Sequence, residues 1–202
     1  MTNESKSFIL HGKGGTSFRF KIVEKSDKDL IRKGFKMLSQ KSVYTRFFSF
    51  LKELSEKQLD ELTHGDQKKH VIWGAFIESN NQKTGIGIGR YCICDKDNNN
   101  TAEMAITIVD SYQNEGVGTI LLAIIYFFAE CAGLDYLVGY ILVENWKFAV
   151  RFLKLGATIT RTGNEYEIKL PIYSDLKQFP KNNYSKIFAK TLKKLKKQNL
   201  CG

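Results

Sequence analysis

Residues Thr101–Gly133 read TAEMAITIVDSYQNEGVGTILLAIIYFFAECAG, and the rest of the chain is organised around them. Thr101–Val109 is a strand candidate. From Gly116 an apolar run follows that is long enough for a helix and too long for an ordinary strand. Strand, turn and helix therefore stand in immediate succession. A helix entered through Gly116 and Gly118 offers unpaired backbone N–H groups and the positive end of its dipole, with no side chains to hold off a bulky anion. That combination suits a pyrophosphate.

Composition bounds what surrounds this unit. The chain has 202 residues, enough for one well-buried core, and nothing in it points to two. Its apolar content of 43%, with 14 Phe and 9 Tyr, is that of a globular protein. Met1–Ser7 is polar and the short apolar piece Phe8–Leu10 runs straight into His11-Gly12-Lys13, so no secretory signal is expected. The longest apolar run, Ile120–Ala129, falls short of the roughly 20 residues a bilayer requires. A soluble, cytoplasmic protein is the expectation. Cysteines 92, 94, 131 and 201 lack metal-ligand spacing and read as reduced, packed small hydrophobes; no metal site is expected.

In chain order, the glycine-rich HGKGGT (His11–Thr16) lacks the spacing of a phosphate loop and reads as a flexible lead-in to a strand at Ser17–Val23. Ser26 and Asp27 offer N-caps to a helix reaching about Leu38. A second helix is expected over Ser42–Phe50, and a third is capped by Ser55, with Gln58 completing a capping box. Strands then follow at His70–Ser79, Gly85–Asp95 and Thr101–Val109, with polar turns at Asn80–Thr84 and Lys96–Asn100 that imply antiparallel hairpins. After the central helix come a strand at Tyr136–Val143, a helix over Asn145–Leu155, and paired strands Thr158–Thr162 and Glu165–Leu170 turning at Gly163-Asn164. This order predicts an α/β fold with a mixed, mostly antiparallel central sheet and helices on both faces.

The spacing Gln113-Asn114-Glu115-Gly116-Val117-Gly118 matches neither the Walker loop, which needs a lysine, nor the dinucleotide fingerprint, which needs a third glycine. It resembles the (Gln/Arg)-x-x-Gly-x-(Gly/Ala) motif of the GNAT acetyltransferases, and the element order over Phe18–Pro171 is similar to theirs. Within that superfamily, Tyr44-Thr45-Arg46-Phe47-Phe48, Leu54-Ser55, Leu62-Thr63, Gly87-Ile88-Gly89-Arg90-Tyr91 and Thr101-Ala102-Glu103-Met104-Ala105 resemble the catalytic domain of bacterial Pat-type protein lysine acetyltransferases.

The resemblance implies a GNAT domain over residues 1–171, with residues 172–202 forming a basic amphipathic C-terminal helix or tail of the same domain. It implies that the segment Gln113, Asn114, Glu115, Gly116, Val117, Gly118 and Thr119 holds the diphosphate of acetyl-CoA as co-substrate, and that the preceding strand, through Ile106, Thr107 and Ile108, lies along the pantetheine arm. It places the general base at Glu103. Asn145 reads either as a cofactor hydrogen-bonding residue or as a helix N-cap. The chain departs from the pattern at Glu115, where a basic residue is common, and at Phe152, where a tyrosine commonly protonates the leaving thiolate. Water or another tyrosine, such as Tyr140, is the substitute.

From the residues alone Glu103 reads either as a solvent-facing strand residue near a turn or as the base that the chemistry requires. An amine with a solution pKa of about 10.4 is neutral in roughly one molecule in 2,500 at pH 7, so an acceptor lysine must lose a proton before it attacks a thioester. Glu103 alternates with Ala102 and Met104, and its small or apolar neighbours suggest partial burial. The acceptor reads as a protein lysine, with a small amine such as a polyamine or aminoglycoside as the alternative. A catalytically weak acetyl-CoA-binding module is the other class that stays open. Lys181–Gly202 carries seven lysines and no acidic residue, with Tyr184, Phe188, Leu192 and Leu195 at helical spacing. A helix docked on the domain with a solvated basic face is expected there, ahead of binding to nucleic acid or an anionic surface.

Overall fold

The computed structural model describes residues 7–79, 82–93, 100–198 and 200. In chain order these form β1 (Ser7–His11), β2 (Ser17–Ile22), α1 (Lys28–Lys36), α2 (Gln40–Phe47), α3 (Glu56–Glu61), β3 (His70–Ser79), β4 (Gln82–Cys92), β5 (Thr101–Ile108), α4 (Val117–Cys131), β6 (Tyr136–Leu142), α5 (Trp146–Leu153), β7 (Thr158–Thr162), β8 (Glu165–Pro171) and α6 (Asn183–Lys196). Among the described residues the strands follow the order β1-β2-β3-β4-β5-β6-β8-β7 in one eight-stranded sheet. β5 and β6 are parallel, whereas β1–β2, β2–β3, β6–β8 and β7–β8 are antiparallel. This is the mixed, mostly antiparallel α/β architecture expected from the element order. Asn80, Asn81 and residues 94–99, where the two polar turns are expected, lie outside the described residues. No helix among the described residues is long and apolar enough to cross a membrane.

The chain divides into two compact units, Met1–Arg90 with Ile106–Leu122, and Tyr91–Ala105 with Ala123–Gly202. In the first, the glycine-rich lead-in is replaced by a hairpin: Ser7–His11 pairs antiparallel with Ser17–Lys21, and Gly12 N–H bonds Thr16 O at 2.9 Å across the turn. Phe8 stacks against Phe20 at 5.9 Å, so the three apolar residues that looked like an isolated patch have a strand partner.

Helix starts follow local chemistry. Ser55 Oγ accepts Gln58 N–H at 3.2 Å and Gln58 Oε1 accepts Ser55 N–H at 2.9 Å, the capping box read from sequence. α2 starts before the expected Ser42, because Ser39 is its cap and accepts Ser42 N–H. Asp27 stands at the α1 cap position without a side-chain cap bond. Its carboxylate instead meets Lys21 Nζ at 2.7 Å, both side chains being buried, and accepts Glu24 N–H at 3.0 Å. Phe35, Val43, Leu54, Leu59 and Leu62 pack the helices of this unit together. At Gly34 a Cβ would fall 2.8 Å from Gly85 O, so glycine there lets α1 approach β4 closely.

The second unit holds the β6-β8-β7 ladder, with Gly163 at φ 61° turning β7 into β8 where the sequence placed a turn. α6 is capped by Asn182, which accepts Ser185 N–H at 2.9 Å, and buries Ser185, Phe188, Leu192 and Leu195. Phe188 meets Tyr126 edge-to-face at 5.4 Å, and Lys196 pairs with Glu130 at 2.6 Å. Burying Phe188 completely is worth roughly 1.5–3 kcal/mol. Lys186, Lys190, Lys193, Lys194 and Lys197 stay on the exposed face. Cys131 corrects the expectation of reduced, packed cysteines: it is exposed at the end of α4 and disulfide-bonded. Cys94 and Cys201 lie outside the described residues.

Candidate functional site

β5 ends at Ile108, and Val109 N–H is held by Ile86 O at 2.9 Å. A single 3-10 turn, Asp110–Tyr112, then leads to an extended Gln113 and a left-handed Asn114 at φ 65°. Gly116 is also left-handed, at φ 93°, a conformation that costs an L side chain about 1 kcal/mol or more. Its carbonyl accepts Ile120 N–H at 3.1 Å, so it closes the first turn of α4. The first amides of an α-helix lie at the positive end of its dipole. Val117 and Leu121 are wholly buried and anchor the helix start.

Gly118 differs from Gly116 in kind. A Cβ there would meet Ile108 Cγ1 at 3.5 Å, an ordinary contact, so the fold itself has room for a methyl group. Gly87 has none: its Cβ would stand 2.7 Å from Ile108 Cδ1, 3.2 Å from Thr107 O and 3.3 Å from Leu121 Cδ1. Glycine at 87 thus draws β4, the end of β5 and the start of α4 together.

Two residues that no motif singles out, Ser39 and Asp110, help hold this loop in place. The Asp110 carboxylate accepts Ser39 N–H at 2.9 Å, Ser39 Oγ–H at 2.7 Å and Ser42 Oγ–H at 2.9 Å, which ties the loop to the start of α2. Burial opposes the charge of Asp110, and these donors outweigh it, so its carboxyl sits below the ordinary carboxylate value. Gln113 Nε2 donates to Ile108 O at 3.1 Å and lies 3.4 Å from Ser42 Oγ. Its side-chain donor therefore braces the turn. Lys13 N–H donates to Glu115 O at 2.9 Å, joining the β1–β2 hairpin to the same loop. Glu115 is half-buried, and its Oε2 lies 3.6 Å from where a Cβ on Gly14 would be, so the carboxylate leans on the hairpin.

Ile106, Thr107 and Ile108 are half-buried, and Thr107 and Val109 help line a cavity of about 70 Å³. Leu30, Phe35, Phe47 and Ile88 give that cavity an apolar wall. Near α2, Tyr44 and Phe50 stack at 4.7 Å, with Phe50 77% exposed. Among the nearby acids, Glu56 pairs with Arg32 and with Lys28 at 3.5 Å, and Asp60 pairs with Lys28 at 2.6 Å.

In the second unit, Ala102 and Met104 are buried on either side of an exposed Glu103. The alternation is as read, but the partial burial expected for Glu103 does not occur. Its strand pairs with β6 over Thr101↔Tyr136, Ala102↔Leu137 and Glu103↔Val138. Asn145 stands at the N-cap position of α5, where its side chain makes no cap bond. Phe152 is buried and packs edge-to-face on Phe148 at 5.4 Å, a core residue with no proton to give. Tyr140 is 45% exposed. Among the described residues no group of three or more His, Cys, Asp and Glu side chains could hold a metal ion.

The chain has the fold of the GNAT N-acetyltransferases. It is similar in structure to the GNAT domain of S. lividans PAT, with a TM-score of 0.74 and 23% identity over 82% of this chain and 96% of that one. It is also similar to the PaiA N-acetyltransferase of Thermoplasma acidophilum, solved in complex with coenzyme A, with a TM-score of 0.57 and 18% identity over 77% and 99%. In sequence it is 28% identical to acetyltransferase PA5475 of Pseudomonas aeruginosa over 100 residues, 50% of this chain and 53% of that protein. The match thus spans about half the length of that relative. No family profile matches the chain.

Proposed function

We propose that the protein is an acetyl-CoA-dependent N-acetyltransferase that transfers the acetyl group to a lysine of a protein partner. The observation that carries the reading is the turn at Gly116-Val117-Gly118. Gly116 is demanded by its left-handed backbone, whereas Gly118 has room for a methyl that the fold does not use. A glycine kept where packing does not need it fits close approach of a ligand to the first turn of α4. The diphosphate of acetyl-CoA is such a ligand, held at the start of α4 by the backbone of Val117, Gly118 and Thr119, with Asn114 and Glu115 shaping the entry.

In this reading Glu103 takes a proton from the acceptor ammonium, directly or through one water, and the neutral amine attacks the thioester carbonyl. Backbone N–H groups of Ile106–Ile108 stabilise the oxyanion that develops there. Collapse expels a thiolate whose pKa, near 8.5 by analogy with cysteine, makes it a tolerable leaving group. The thiolate takes a proton from water or Tyr140, because Phe152 has none to donate, and the second proton, lost by the attacking nitrogen as it becomes an amide, replaces it. Exposure of Glu103 fits a base that meets the solvent-facing ammonium of a protein surface.

Acceptor choice rests on charge. A polyamine or aminoglycoside needs a cluster of uncommitted carboxylates to hold its cations; Glu56 and Asp60 are already paired with Lys28 and Arg32, which leaves Glu53 and Glu61 on the exposed surface. The Tyr44–Phe50 stack, with Phe50 exposed, offers instead an apolar platform for a protein surface. Incubation with acetyl-CoA and cell extract, followed by mass spectrometry, is expected to reveal newly acetylated lysines on proteins. Efficient acetylation of a polyamine or aminoglycoside, with no protein labelled, would favour the small-amine alternative.

A further inference from the structure

We propose that Lys13, at the tip of the β1–β2 hairpin, is a ligand of the coenzyme's diphosphate and supplies the positive charge that Glu115 denies to the glycine loop. The inference rests on the reading that the diphosphate of acetyl-CoA lies at the first turn of α4. That loop, from Gln113 to Thr119, contains one charged residue, and it is the acidic Glu115. A dianionic diphosphate beside a carboxylate needs a cation from elsewhere.

The hairpin is built to bring one. Lys13 N–H bonds Glu115 O at 2.9 Å, which fixes the Lys13 backbone against the loop. The approach depends on Gly12, where a Cβ would lie 2.6 Å from Glu115 O and 2.5 Å from Phe18 Cε2. Gly15, at φ 79°, makes the return turn. The Lys13 side chain sets off towards the glycine itself, since its Cγ is 3.9 Å from the point where a Cβ on Gly116 would sit. Cδ and Cε then carry an exposed ammonium onward. Among the described residues no ion pair engages it, Glu115 included, so its charge is not already neutralised. The glycine-rich segment before β2 thus serves phosphate from a separate element, across a hairpin contact.

Calorimetry with three ligands tests this: acetyl-CoA, acetyl-dephospho-CoA, which keeps the diphosphate but lacks the ribose phosphate, and S-acetyl-pantetheine, which has neither. Lys13→Ala is expected to weaken both nucleotide-bearing ligands about tenfold, leave S-acetyl-pantetheine unchanged, and lose its effect as salt rises. Lys13→Arg should restore affinity, and an unchanged melting temperature would show that the exposed substitution leaves the fold intact. Equal weakening of all three ligands, or no weakening of any, overturns the inference, as does a loss confined to acetyl-CoA, which would move the contact to the ribose phosphate. Failure of the unsubstituted protein to bind acetyl-CoA would instead overturn the reading of the loop itself.

Discussion

Two glycines two positions apart have different reasons for being glycine. Gly116→Ala forces an L side chain into φ 93°, so it should strain the loop and lower stability along with cofactor affinity. Gly118→Ala finds an ordinary 3.5 Å contact, so stability should hold. If the coenzyme approaches the backbone there, Gly118→Ala still loses affinity for acetyl-CoA. Thermal melts and calorimetry on both variants separate the two effects; unchanged affinity in Gly118→Ala would remove that residue from the site. Glu103→Gln is expected to keep acetyl-CoA affinity and lose about 10²-fold or more in turnover. Turnover near that of the unsubstituted protein across pH 6 to 9 would exclude Glu103 as the base.

Elements meet at Asp110, which ties the loop before α4 to the cap of α2. Its carboxyl is held below the unfolded value of about 3.9, so the ionised form adds stability that is fully present above that pH. That stability is lost as pH falls through the folded value. Asp110→Asn would set an amide N–H₂ against donors at Ser39 and Ser42, at a cost of about 1 kcal/mol near neutrality. Denaturant melts of both proteins should differ at pH 7 and converge as pH falls through the folded-state value, where the native carboxyl is also neutral. A difference independent of pH would show that the charge on Asp110 is not what stabilises the link.

How much of this was legible followed from the range of the interactions. The β5–turn–α4 unit, the Ser55–Gln58 capping box and the apolar stripe of α6 are local, written within a few residues by spacing and cap chemistry. β1 was hidden because Phe8-Ile9-Leu10 shows no alternation, and only pairing with β2 makes it a strand. The bonds of Ser39 and Ser42 to Asp110 span 71 and 68 residues, and no local pattern announces them. Burial of Glu103 was misjudged because small neighbours in sequence say nothing about what covers a strand face. Gly12 and Lys13 were read as slack chain for the same reason, their partner being Glu115. At the scale of the whole molecule the account makes one chemical claim, that an acetyl group leaves a thioester and arrives on a protein amine. The most direct measurement follows thiol released from acetyl-CoA and acetyl-lysine formed on protein in one reaction with desalted cell extract. The account predicts equal amounts of the two, rising together with enzyme concentration; thiol release without protein acetylation, or neither product, would contradict it.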